Sequence, residues 1–276
     1  MSLPDVEMLC LGNELLIGRT VNTNASYIGL KMTKLGYRVK RITTIGDYFE
    51  DIDQTLKEIR KRRPPILFIM GGLGPTHDDI QLEAIARHLG IPLELNQQAL
   101  QFIAERLGTT EISDTRLKMA KLPKGSKPLR NREGVAPGVM TQVDNMLWFS
   151  LPGVPREMKS ILDWEIIPLL VKQFGKAELH EFGFNAYGIG ESKISKITRS
   201  LVKKYPECYF KSHPKKDKTY WLALHVYSTT MGKQEVENVA EEWRQAILDK
   251  YPDIKVSEIK PVFAEGFEPE ANMLED

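Results

Sequence analysis

At 276 residues, 42% apolar and 27% charged, with a formal net charge of +1, the chain has globular composition, room for two domains, and no general electrostatic pull toward nucleic acid or membranes. Its two cysteines, Cys10 and Cys208, lie too far apart to suggest a disulfide framework or a metal cluster, which fits a reducing compartment. No signal-like start and no apolar run near the ~20 residues of a membrane span is found, so a cytoplasmic protein without membrane partners is expected.

The short apolar run from Val6 to Leu11, closed by Gly12, reads as a buried strand. A helix follows, with Ile28, Met32 and Leu35 on one stripe, Thr23 or Asn24 as cap and Gly36 at its end. Val39 to Ile45 is a second strand. Ile52, Leu56 and Ile59 mark a second helix, and Pro65 to Met70 a third strand. A helix is then predicted from Asp78 to Leu89, another after Asn96 up to Gly108, and a short one over Asp114 to Lys121. Lys124 to Glu133 is basic and turn-rich. Strands at Gly138 to Gln142 and Met146 to Leu151 lead through Pro152-Gly153-Val154-Pro155 into a helix ending near Val171. Alternating strands and helices predict an α/β domain over residues 1–173, a mostly parallel sheet covered on both faces.

Beyond Phe174-Gly175-Lys176 the order becomes strand (Leu179 to Tyr187), helix (Glu191 to Lys204), strand (Cys208 to Ser212), strand (Tyr220 to Ser228), helix (Gln234 to Lys250) and strand (Ile254 to Val256). This is the βαββαβ plan of a small α+β domain over residues 176–258. Residues 259–276 read as an acidic, frayed tail.

Candidate chemistry sits in the loops. Gly71-Gly72-Leu73-Gly74-Pro75-Thr76 packs three glycines directly after a buried strand, where absent side chains let a phosphate approach backbone amides. It is neither a P-loop nor a dinucleotide fingerprint. Asp78 and Asp79 follow at once, either as a helix cap or, because paired carboxylates would repel phosphate, as holders of a divalent metal shared with the ligand. Gly46-Asp47 closes the second strand and Asn13-Glu14 follows the first. All would lie at the carboxyl edge of one sheet, where open α/β sheets bind ligands. Asn22 and Asn24 are candidates for ligand contact or for capping. Gly153 could admit a ligand, and Glu157 could bind metal or accept a proton. The five histidines show no metal spacing, and no Gly-x-Ser-x-Gly elbow is present.

These motifs resemble the competence- and damage-inducible protein CinA family, whose N-terminal domain is similar to the molybdopterin-binding domain of molybdenum cofactor biosynthesis proteins. The resemblance is carried by Gly12 to Gly18 with Asn22-Thr23-Asn24, Thr44 to Asp47, Gly71 to Asp79, and Leu151 to Lys159. Gly188-Ile189-Gly190-Glu191-Ser192 resembles the start of the KH-like module of that family. Together they span about residues 5 to 256. The resemblance implies a three-layer domain, a small KH-like domain, self-association as a dimer or trimer, and a metal-dependent pyrophosphatase acting on ADP-ribose or a related compound. Asp47, Asp78 and Asp79 then hold Mg²⁺, Mn²⁺ or Co²⁺, with Glu14 or Glu157 orienting water. The alternative is turnover-free binding of a pterin phosphate. Where the family often has Gly-Thr-Glu, this chain has Gly12-Asn13-Glu14. Nicotinamide mononucleotide deamidation, which belongs to a C-terminal domain of longer, related members, is not expected. No Gly-x-x-Gly loop is found in the second domain, so nucleic acid is not an expected partner, and Lys211, Lys215, Lys216 and Lys218 read as a solvated hairpin.

Overall fold

Strand β1 (Asp5–Leu11) runs parallel to β2 (Arg38–Ile45) on one side and to β3 (Ile66–Met70) on the other, because its residues are apolar on both faces and can be covered from both. β3 in turn pairs in parallel with β8 (Met146–Leu151). β7 (Gly138–Val143) and β6 (Lys127–Leu129) extend that edge antiparallel, giving the order β2-β1-β3-β8-β7-β6. The structure is a computed structural model and describes residues 3–216 and 220–262. Between Lys176 and Ala177 the chain divides into two compact units.

Strand periodicity splits the first unit into two apolar layers. Val6, Met8 and Cys10 of β1 and Ile66, Phe68 and Met70 of β3 pack with Ile28 and Met32 of α2 (Thr23–Lys34) and with Met158, Ile161 and Leu170 from α7 (Pro155–Ile161) and α8 (Ile167–Phe174). On the other face Leu9, Leu11, Leu67 and Ile69 meet Ile52, Leu56 and Ile59 of α3 (Phe49–Arg62) and Ala84 and Ile85 of α4 (Gln81–Leu89). Three layers result. Glu7 shares this second face but is not apolar. Only 5% exposed, it takes Nε and Nη2 of Arg62 at 2.7 to 3.1 Å.

A short α1 (Asn13–Leu16) follows β1 directly, an element the apolar periodicity does not announce. A further insertion lies between α4 and β7. It holds β4 (Leu93–Leu95) paired with β5 (Lys121–Pro123), α5 (Gln97–Leu107) capped by Asn96, and α6 (Asp114–Leu117) running into a 3-10 turn. The stretch read as merely turn-rich thus contains β6 and abuts β5.

Boundaries also depart from expectation: the short helix expected up to Lys121 ends at Leu117 and passes through a 3-10 turn, with Lys121 already in β5. α2 is capped by Asn22, whose Oδ1 accepts from the Ala25 amide at 3.0 Å, not by Thr23 or Asn24. The helix expected from Asp78 starts at Gln81, because Thr76, Asp78 and Asp79 bond among themselves and hold the intervening residues in a loop. The last helix of the unit runs past Val171 to Phe174 through a π-turn at Leu162–Ile166.

In the second unit the chain order is β9 (His180–Tyr187), α9 (Glu191–Lys204), β10 (Tyr209–Lys216), β11 (Tyr220–Ser228), α10 (Lys233–Lys250) and β12 (Lys255–Val256). The sheet is antiparallel, ordered β10-β11-β9-β12. Trp243 of α10 anchors its core, edge-on to Phe184 and Phe210 at centroid distances of 5.6 and 5.1 Å. Lys260–Pro261, inside the expected tail, forms β13 against β9. The remainder of that tail, 263–276, and Lys218 lie outside the described residues. No helix among the described residues is long and apolar enough to cross a membrane.

Candidate functional site

β1 lies between β2 and β3, so the chain crosses over it, and the loops leaving the carboxyl ends of the parallel strands diverge above a crevice. Four such ends, of β2, β1, β3 and β8, carry the motifs singled out from sequence. They open onto one cavity of about 720 Å³ lined by Glu14, Asp47, the loop from Gly71 to Pro75, Asp78, Asp79, Gly153 and Glu157. Sequence-distant carboxylates therefore line one cavity.

The glycine loop is shaped by backbone demands. Gly71 and Gly72 have φ of +99° and +69°. A Cβ on Gly71 would lie 2.2 Å from the carbonyl oxygen of Leu11, and one on Gly74 would lie 2.5 Å from a carboxylate oxygen of Asp79. From below, the fully buried Gln81 donates its amide to the carbonyl of Gly71, and Gly71 N–H donates to Leu151. Among the described residues, the amides of Gly72, Leu73 and Gly74 donate to nothing. The loop thus offers bare amides, while the Gln81 amide that opens α4 is taken by the carbonyl of Gly72.

Each carboxylate is held differently. Asp47, half-buried, accepts from the Asn13 amide at 3.1 Å. Burial pushes its carboxyl above the usual range, and the negative charges of Glu14, Asp78 and Asp79 add to the shift against that hydrogen bond. Asp78 moves the other way, its exposed carboxylate favoured by the Thr76 hydroxyl. Asp79 accepts from the Thr76 amide at 2.8 Å. Glu157 accepts from Asn131 Nδ2 at 2.7 Å and lies against Gly134, where any Cβ would clash with it. Asp47, Asp78 and Asp79 do not form a closed ligand set. Among the described residues no three His, Cys, Asp or Glu side chains stand together to hold one ion.

Asn22 and Asn24 line a smaller adjoining hollow of about 90 Å³ with Gly153. Asn22 is occupied as the α2 cap, and Asn24 donates to the Gly153 carbonyl at 2.7 Å, tying the loop after β8 to α2. Gly46 is buried beside Asn13 and Tyr48, so it supports Asp47 rather than lining the cavity. His77 points into solvent, 99% exposed.

Part of the lining of this cavity comes from the insertion, and sequence reading missed it. Arg106 and Arg116 line the cavity with Met119, Gly134 and Ala136, and Arg156 joins them from α7. Arg106 donates to the Glu133 carbonyl, whereas Arg116 and Arg156 have no side-chain partner among the described residues. Lys118 reaches the Thr76 carbonyl at 2.5 Å. Buried Asn131 receives the Glu133 and Gly134 amides and donates to Ala136 and Glu157, so it shapes that part of the lining. Carboxylates and guanidinium groups thus line one cavity.

Residues 7–172 match the family described as "Probable molybdopterin binding domain". The chain belongs to this molybdopterin-binding domain family. A protein of Sulfurisphaera tokodaii is 39% identical over 252 residues, covering 91% of this chain and 94% of its own. One from Metallosphaera sedula is 43% identical over 229 residues, covering 82% and 86%. A crystal structure of the protein CinA, with unknown function, from Thermoplasma acidophilum covers 59% of this chain and 95% of its own at 36% identity, with a TM-score of 0.55. The molybdopterin-binding domain of this chain is therefore CinA-like, and its candidate site is the strand-end crevice.

Proposed function

We propose that the crevice binds a nucleoside diphosphate compound such as ADP-ribose and hydrolyses its pyrophosphate with a divalent ion. The observation that carries this reading is the single cavity lined by Glu14, Asp47, Asp78 and Asp79, by the loop from Gly71 to Pro75 with its free amides, and by Arg116 and Arg156, which have no side-chain partner among the described residues. The carboxylate donors are hard oxygens, which suits Mg²⁺, Mn²⁺ or Co²⁺ held by one or two carboxylates with phosphate oxygens and water. When bound, such an ion lowers the pKa of water and neutralises phosphate charge. The residues do the rest. Asp47 and the Asp78–Asp79 pair would hold the ion through one or two carboxylates, with phosphate oxygens and water completing its shell, while Gly72, Leu73 and Gly74 donate amides to one phosphate and Arg116 and Arg156 balance the other. Glu14 or Glu157 accepts the proton of the attacking water, whose oxygen bonds to phosphorus as the P–O–P bridge breaks. The products are AMP and ribose 5-phosphate.

Incubation with ADP-ribose and each divalent ion tests this, with AMP release as the expected result. No AMP under any ion, while a control pyrophosphatase works beside it, overturns the reading.

A second reading is favoured by the family description: the crevice holds a phosphorylated pterin without turnover. That no three-ligand group stands among the described residues supports it, because such binding does not require one. Calorimetry with a pterin phosphate and with ADP-ribose separates the two. Self-association as a dimer or trimer belongs to the same proposal and is read by sedimentation. The KH-like assignment of the second unit is supported by its βαββαβ order.

A further inference from the structure

One face of the second unit's sheet is covered by α9 and α10, which pack on Phe182, Phe184, Leu222, Leu224 and Val226. Alternation places the intervening residues on the opposite face. Across its register Tyr209 stands beside Tyr227, Lys211 beside His225, His213 beside Ala223, and Lys215 beside Trp221, itself beside Tyr187. Rings therefore dominate a surface that antiparallel sheets ordinarily give to small polar groups. They come in pairs: Tyr209–Tyr227 with centroids 5.0 Å apart, His213–His225 at 5.5 Å, and Tyr187–Trp221 at 6.0 Å. Tyr209 is 51% exposed, and His213 is exposed as well.

Cations frame these rings on the two sides of the sheet, from β10 on one and from β12 and β13 on the other. Lys211 and Lys215 belong to β10, Lys255 is paired with Tyr187 with its ammonium 5.8 Å from that ring, and Lys260 is opposite Gly183. The acid among these register positions, Glu181, is nearly buried and engaged by His225 at 3.2 Å.

We propose that this face binds single-stranded nucleic acid, with bases stacked on the ring pairs and phosphates following the lysines of the outer strands. Every base offers a π-face, so aromatic floors with basic margins bind strands with little sequence preference. Single strands are required because paired bases have no free faces to stack. The missing Gly-x-x-Gly loop does not count against this surface, since that loop clamps backbone elsewhere in modules that use it. A second copy of the chain fits less well, because a two-fold pairing of this face would bring lysine margins together.

The test is fluorescence anisotropy of a labelled oligouridine, its DNA counterpart and a duplex of equal length, titrated with the full chain. Both single strands are expected to bind and the duplex to bind far more weakly. Tyr209→Ala and Trp221→Ala should each weaken binding roughly tenfold or more. Lys211→Glu combined with Lys255→Glu should flatten the salt dependence by about 0.7 in log–log slope for each phosphate that is no longer neutralised. Tyr209 and the lysines are surface groups, so those variants remain informative even if Trp221→Ala fails to fold. No binding at low salt, equal binding of the duplex, or unchanged binding by the Tyr209 and lysine variants overturns the proposal. So does self-association in sedimentation that Tyr209→Ala abolishes. None of these outcomes depends on turnover in the first unit.

Discussion

Substituting Gly71 by alanine probes the geometry on which the crevice rests. A methyl group there adopts φ of +99° and arrives 2.2 Å from the carbonyl oxygen and 3.2 Å from the carbonyl carbon of Leu11. That carbonyl belongs to β1, which is paired on both sides and has little freedom to withdraw. The backbone conformation costs about 1–3 kcal/mol in a residue with a side chain, and overpacking adds about 1–3 kcal/mol. The sum, roughly 2–6 kcal/mol, is a large share of the 5–15 kcal/mol typical of native stability. Gly108→Ala separates the contributions. It has φ of +67° with nothing within 4 Å of the added Cβ, so only the conformational part remains, about 1 kcal/mol. Urea titration read by hydrogen exchange in peptides from β1 and β3 isolates the first unit. Gly71→Ala should shift its midpoint several-fold further than Gly108→Ala and should abolish ADP binding in calorimetry, while Gly108→Ala keeps it. Equal shifts for the two variants, or full ADP affinity in Gly71→Ala, would refute the claim that the loop is clamped against β1.

Three other outcomes follow from the site. Asp47→Asn should abolish ion-dependent turnover yet stabilise the fold at neutral pH. Because the folded-state pKa of Asp47 is raised, its contribution is full below the ordinary carboxylate range and lost as pH rises through the folded value, so the gain should vanish in acid denaturant titrations. Asn131→Ala removes four hydrogen bonds around a buried loop and should cost about 2–4 kcal/mol in urea melts while lowering turnover through Glu157. Arg116→Ala with Arg156→Ala should leave the melting temperature unchanged and raise KM for a diphosphate substrate at least tenfold, whereas a small change in KM argues against phosphate contact.

β1 and β3 were readable because parallel strands buried on both faces announce themselves as apolar runs ending in glycine, whereas the partly exposed edge strand β2 was readable from its β-branched residues. The Gly71 loop was readable because three glycines directly after a buried strand have few other uses. What failed was governed by tertiary bonds. Asp78-Asp79-Ile80-Gln81 looks like a capped helix start, but Thr76 draws both aspartates into a loop and Gln81 reaches back to Gly71, leaving Ile80 at a helix start with no side-chain cap. Arg106, Arg116, Lys118 and Asn131 approach the cavity from an insertion whose short strands carry no usable periodicity. A buried asparagine in a basic, turn-rich stretch was the available signal there. On the second unit, Tyr209, His213, Trp221, His225 and Tyr227 already alternate along their strands in the sequence. Their union on one face needed the pairing of β10 with β11.

The Glu7–Arg62 pair has a consequence for how the first unit threads. Were β1 to slide by one residue between its neighbours, every side chain would exchange layers. Glu7 would then sink among Ile28 and Met32, out of reach of any guanidinium, and its charge would be stranded in hydrocarbon. A leucine at that position would tolerate either alignment. The carboxylate therefore acts as a key cut for one lock, penalising the misaligned sheet more heavily than it strengthens the native one.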